Sequence, residues 1–191
     1  MAPISLLVVV GVAAAAIAGR VPARAKTKRW CDGFDFPVGP PDGEGYYDAQ
    51  PFREHDHLGS DWNGNGGGDT DLGDPVHSVA GGRVVFAEDV GGGWGNVVRI
   101  VHRCEDGKVE SVYAHLDVIA VSVGERVERG DVIGSIGDAH AEYVPHLHFE
   151  LRNEVGLPIG SGYGEEARGY LDPTAFILSH RPQSQRRVER Q

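Results

Sequence analysis

Five short β-branched runs, each bounded by turn-forming residues, limit this chain to one kind of fold. They are VHSVAGGRVVFA (76–87), NVVRIVH (96–102), KVESVYAHL (108–116), DVIGSIG (131–137) and HLHFELR (146–152). Helical periodicity is nearly absent after residue 30, and glycine fills 28 of the 191 positions. Runs this close together predict antiparallel strands in a compact all-β, barrel-like sheet domain. RCEDG (103–107) reads as a hairpin loop in which Gly107 supplies a positive φ. Residues 153–170 form a glycine-rich insertion, and LDPTAFIL (171–178) reads as a closing turn with a short helix or strand.

The flanks predict export. Residues 4–18 are a continuous apolar run of 15, short for a membrane span, and Ala16-Ile17-Ala18 and Ala23-Arg24-Ala25 both fit small-x-small cleavage sites. The expected organisation is a signal peptide or N-terminal anchor at 1–25 and an irregular lead-in at 26–50. A domain follows at 51–178, then a disordered basic tail at 179–191. The destination is periplasmic or extracellular, with no stable membrane insertion once the signal is removed. Cys31 and Cys104 are the two cysteines, and an oxidising compartment predicts that they bridge. Net charge is −10, and residues 1–25 hold two arginines and no acid, so the exported part stands at −12. That excludes nucleic acid as a partner, because a phosphate backbone needs a basic face.

HLHFELR raises the functional question. In a strand, alternate side chains share a face, so His146, His148 and Glu150 point one way while Leu147, Phe149 and Leu151 point into a core. The two imidazoles are then about 7 Å apart, close enough to flank a common centre. A polar solvent face satisfies the same pattern. HLGSD (57–61) adds His57 and Asp61, and YAHL (113–116) adds His115 at a strand end. Imidazole nitrogen and carboxylate oxygen are ordinary zinc donors, and three of them leave an open fourth position. A closed structural site would use cysteines, and the two present are far from that spacing.

HLGSD, GDPVHSVAGGRVVFA, GWGNVVRIVH, SVYAHL, VSVGERVERGDVIGSIG and HLHFELR, in that order, resemble the lysostaphin/LytM-type zinc metallopeptidases over residues 55–152. The resemblance implies that fold, with an active-site cleft between loops. It also implies one zinc ion per chain, held by His57, Asp61 and His148, with His115 and His146 acting on the chemistry. The implied activity is hydrolysis of peptide bonds in bacterial peptidoglycan by a zinc-activated water. A non-catalytic LytM-like module that binds the wall or activates a hydrolase is the alternative, although such domains typically lack ligands that this chain retains.

Two loops depart from the family pattern, DAHAEYVP (138–145) before HLH and WNGNGGGDTDLGD (62–74) after Asp61. The second begins like a calcium loop, but Leu72 stands where a bidentate Glu is needed. VSVGERVERGDVIGSIG also resembles part of a lipoyl-carrier barrel, yet none of Lys26, Lys28 and Lys108 lies in a matching turn. In GWGN, Trp94 either walls a substrate groove while Asn96 orients backbone, or packs in a plain hairpin turn.

Overall fold

The computed structural model describes residues 30–105 and 107–182. The segment expected as a signal peptide or anchor (1–25) and residues 183–191 of the expected tail lie outside the described residues. The strands are β1 (Tyr46–Gln50), β2 (Ser60–Gly64), β3 (Pro75–His77), β4 (Gly82–Asp89), β5 (Asn96–Cys104), β6 (Gly107–Ile119), β7 (Arg126–Val127), β8 (Val132–Ile136), β9 (Leu147–Arg152) and β10 (Tyr170–Leu171). One helix, α1 (Pro173–Ser179), follows them; Asp172 caps it by accepting from the Ala175 N–H.

The strands pair antiparallel in one sheet, with the order β1-β2-β9-β6-β5-β4-β7. Strand β10 continues the β2 edge of β9, while β8 joins β6 to β3. The five β-branched runs became strands β3–β6, β8 and β9. Strands β1 (YYDAQ) and β2 (SDWNG) carry no β-branched residue, and they are strands because β9 offers β2 a hydrogen-bonding edge.

β6 forks. Residues 110–114 pair with β9, whereas Leu116 and Ile119 pair with β8. On its other edge the β5 register slips, Val98 facing Tyr113 and Asn96 facing Leu116. His115 sits at the fork with φ 61°, a left-handed conformation rare for a residue with a Cβ.

Leu147, Phe149 and Leu151 enter the main core, as the alternation of HLHFELR predicts. The opposite face of β9 is not a solvent face: His148, Glu150 and Arg152 are buried as well.

Residues of the lead-in enter the core. Phe34, Phe36 and Val38 are buried; Phe34 meets Phe176 of α1 edge-on at 5.0 Å and Phe36 lies 5.1 Å from Trp62. Cys31 is bridged to Cys104 at the end of β5. A Cβ on Gly81 would fall 1.7 Å from the Trp30 carbonyl oxygen, so only glycine lets the lead-in backbone pass there. The expected tail is likewise folded at its start. The Phe34 N–H donates to the His180 carbonyl, and Arg181, 4% exposed, donates to the carbonyls of Phe34 and Pro41 and pairs with Asp35 and Asp42.

Candidate active site

The fork in β6 and the buried polar face of β9 meet at one cleft of about 390 Å³. Its lining includes Asp61, Trp94, His115, His146 and His148 from the expected set, with Gln50, Tyr143, Ser161, Gly162 and Tyr163 added by the fold.

Asp61 lies directly opposite His148 in the β2–β9 ladder, so register alone brings these two together. His57 arrives from the segment before β2, where Arg53, His55 and Asp56 all adopt positive φ. Arg53 braces that turn by donating to the carbonyls of Gly164 and Glu165 and to the Asp56 carboxylate. His57 then bridges to Tyr163, which ties the insertion to the same turn.

The donor atoms of His57, Asp61 and His148 all lie within 4.8 Å of one another. His57 Nε2 is 3.0 Å from His148 Nδ1, which is 2.8 Å from Asp61 Oδ1. The outer nitrogen of each ring is already assigned. His57 Nδ1 is 3.0 Å from the Gln50 carbonyl oxygen, and His148 Nε2 is 3.1 Å from Glu150 Oε1. Both oxygens only accept, so those two nitrogens carry the hydrogens. Two imidazole lone pairs and a carboxylate oxygen therefore converge on one point, and a proton or a cation must lie between them. This donor set fits zinc, with three protein ligands and an open fourth position.

The charges follow the same geometry. Burial alone would raise the Asp61 pKa, but His148 and His57, with a proton held between them and the carboxylate, outweigh it and keep the carboxyl well below its usual range. Burial works against a charged His148, yet Asp61 and Glu150 together hold its pKa up at about 9.

His115 and His146 stand beside this trio, their rings 4.7 Å apart. The His146 Nδ1–H donates to the Val144 carbonyl at 2.8 Å, which leaves the Nε2 lone pair free, 3.9 Å from Asp61 Oδ1. The His115 ring lies 5.5 Å from that of His148, and its Nδ1 is buried without a hydrogen-bond partner among the described residues. Burial, then His148 and His146, push its pKa down to about 3.

Trp94 lines the cleft, its ring 5.2 Å from that of His148, and its indole N–H donates to the Gly160 carbonyl at 3.1 Å. Asn96 does not line the cleft. Its side-chain amide donates to the carbonyls of Leu116 and Asp117, both at 3.0 Å, and so holds the bulge that presents His115. Tyr143 and Tyr163 were not singled out by sequence. Both sit in the loops that depart from regular strand pattern, where spacing carries no information about facing. Glu150 was visible on the right face, but nothing in the sequence made Arg152 its partner.

The profile of peptidase family M23 matches residues 56–160, just over half of the chain. The glycyl-glycine endopeptidase ALE-1 of Staphylococcus capitis is 37% identical over 79 residues, 41% of this chain and 21% of that protein. Lipoprotein NlpD of Yersinia enterocolitica is 38% identical over 80 residues, 42% of this chain and 78% of that one. A crystal structure of a zinc-containing peptidase from Vibrio cholerae superposes with a TM-score of 0.52 at 28% identity, covering 63% of this chain and 37% of that one. The chain thus spans only a minor part of ALE-1 and of the Vibrio peptidase.

Proposed function

The chain belongs to peptidase family M23, and on that premise we propose that it is a zinc-dependent endopeptidase cutting peptide bonds of bacterial peptidoglycan outside the cytoplasm. The observation that carries this reading is the convergence of His57 Nε2, Asp61 Oδ1 and His148 Nδ1 with both outer ring nitrogens already engaged. His57, Asp61 and His148 would hold a zinc ion there, which would supply Lewis acidity toward a scissile carbonyl and a water.

The remaining work falls to this chain's own side chains. His146 accepts the proton of the attacking water at Nε2, because its Nδ1–H is committed to the Val144 carbonyl. His115 stabilises the developing charge on the substrate oxygen by donating a ring N–H, with Asn96 fixing the backbone that presents it, and His146 passes the proton taken from water to the leaving amine. Trp94, Tyr143 and Tyr163 wall the cleft and position an extended peptide. Small-residue cross-links suit a cleft so rimmed, and ALE-1, by its name, cuts between glycines. Export fits the Cys31–Cys104 bridge, which an oxidising compartment preserves. Among the described residues no helix is long and apolar enough to cross a membrane.

Digesting purified peptidoglycan with the protein, with and without a chelator, and weighing the released fragments tests this reading. New amine and carboxyl ends that vanish with chelator are the expected result. A folded protein that binds no zinc and releases nothing supports instead the non-catalytic wall-binding or activator module.

A further inference from the structure

We infer that Glu150 and Arg152 are a buried positioning pair that fixes the coordinating face of His148 and clamps one wall of the cleft through the same guanidinium. The inference rests on the metallopeptidase reading above and deepens it. Both side chains are 0% exposed, on the strand face that also carries His148. Charges withdrawn from water this fully are retained only where each is paired and hydrogen-bonded.

The pairing runs outward from the ligand. Glu150 Oε1 accepts from His148 Nε2–H, which leaves Nδ1 as the lone pair turned toward Asp61 and His57. Glu150 Oε2 accepts from Arg152 Nε at 2.7 Å and Nη2 at 2.5 Å, so the carboxylate cannot rotate away from the imidazole. The other guanidinium hydrogens reach the insertion: Nη1 donates to the carbonyls of Leu157 at 3.1 Å and Pro158 at 3.3 Å, and Nη2 to that of Ile159 at 3.4 Å. The next carbonyl, Gly160, accepts from the Trp94 indole, and residues 161–163 then line the cleft. The Tyr170 ring lies 5.0 Å from the guanidinium carbon and covers its face. Lysine could neutralise Glu150 but could not hold the carboxylate and three carbonyls at once, because it lacks the planar fork.

The two halves of the pair are separable. In Glu150→Gln the amide oxygen can still accept from Arg152, whose three carbonyl acceptors also remain, while the charge behind His148 is lost. Metal affinity should fall about 10–100-fold, the usual cost of losing such a partner, with KM for a cell-wall peptide unchanged. In Arg152→Lys the clamp goes too, so metal affinity should fall and KM should rise. The measurements are cobalt(II) titration of the whole chain against a competing chelator, the visible cobalt spectrum, and peptide kinetics. Thermal unfolding of the metal-free variants checks that each folds. A measurement on the unaltered protein needs no variant: nitrogen-15 NMR of the zinc-loaded chain should find His148 protonated at Nε2. Variants that bind cobalt as tightly as the parent with an unchanged spectrum, or a His148 protonated at Nδ1, overturn the pairing while leaving the metallopeptidase reading intact. A parent protein that binds neither cobalt nor zinc overturns both.

Discussion

His148 and His102 are both buried imidazoles on strands that flank β6, and they have opposite properties. His102, on β5, faces the Gly81 carbonyl and the Ser111 hydroxyl; burial pushes its pKa down to about 4. His148, on β9, faces two carboxylates and another imidazole, and its pKa is held up at about 9 despite equal withdrawal from water. A neutral partner lets a buried histidine remain a neutral core residue. Carboxylates around it create a demand for positive charge, and a metal ion meets the same demand. What makes a site here is therefore the neighbour chemistry, since burial is common to both.

The largest test of this contrast is His148→Ala. It removes one of three donors, so bound zinc and peptide cleavage should disappear together. Elemental analysis beside turnover reads both, and a variant that keeps its zinc would mean that the trio is misassigned. His146→Ala and His115→Ala come next. Each should retain zinc while cleavage falls by roughly 10²–10⁴-fold, the range for losing a positioned acid–base group. If His146→Ala loses its metal instead, His146 belongs among the ligands.

The His102 end of the molecule should answer in stability and leave turnover alone. The Cys31–Cys104 bridge spans 73 residues of sequence, and replacing both cysteines with serine should cost about 2–4 kcal/mol. Denaturant unfolding measures that loss, and cleavage at a temperature where the variant remains folded should be unchanged. His102 itself gives the smallest and most specific effect. Its folded pKa of about 4 lies below the unfolded value near 6.5, so the unfolded chain binds more protons between the two. Its contribution is fully present above pH 6.5 and is lost as the pH falls toward 4. Between pH 7 and 5 that loss should be on the order of 2 kcal/mol. A His102→Gln variant should be less stable at pH 7 and lose less on acidification. An equal acid loss in both proteins would mean that His102 already carries charge when folded.

Much of the site was legible because its spacing is short-range. HLGSD places His57 and Asp61 four apart, and HLHFELR places His148 on the face opposite a Leu/Phe/Leu core, which the strand period delivers directly. Trp94 was legible as one of two readings, and the structure puts it against the cleft. Asn96 was read as orienting backbone, and its amide holds the bulge beneath His115, though which backbone it holds was not legible from spacing. The lead-in was read as irregular because Phe34, Phe36 and Val38 sit among Pro and Gly with no strand alternation. They are buried all the same, because the bridge and Arg181 hold that segment against α1 and the sheet.

By itself the sequence determined the strand-rich class and the core face of β9, and it put forward four histidines and one aspartate as candidates. Each of these follows from a period or a motif spanning only a few residues. The tertiary structure alone decided the rest. Pairing β2 against β9 set Asp61 opposite His148, and the fork in β6 turned His115 into the cleft. Folding the insertion back onto Arg152 joined the carboxylate behind His148 to the cleft wall. Those contacts depend on strand register and on buried ion pairs between residues far apart in the chain. No local pattern encodes them, because burial becomes affordable for Glu150 and Arg152 only once each has the other.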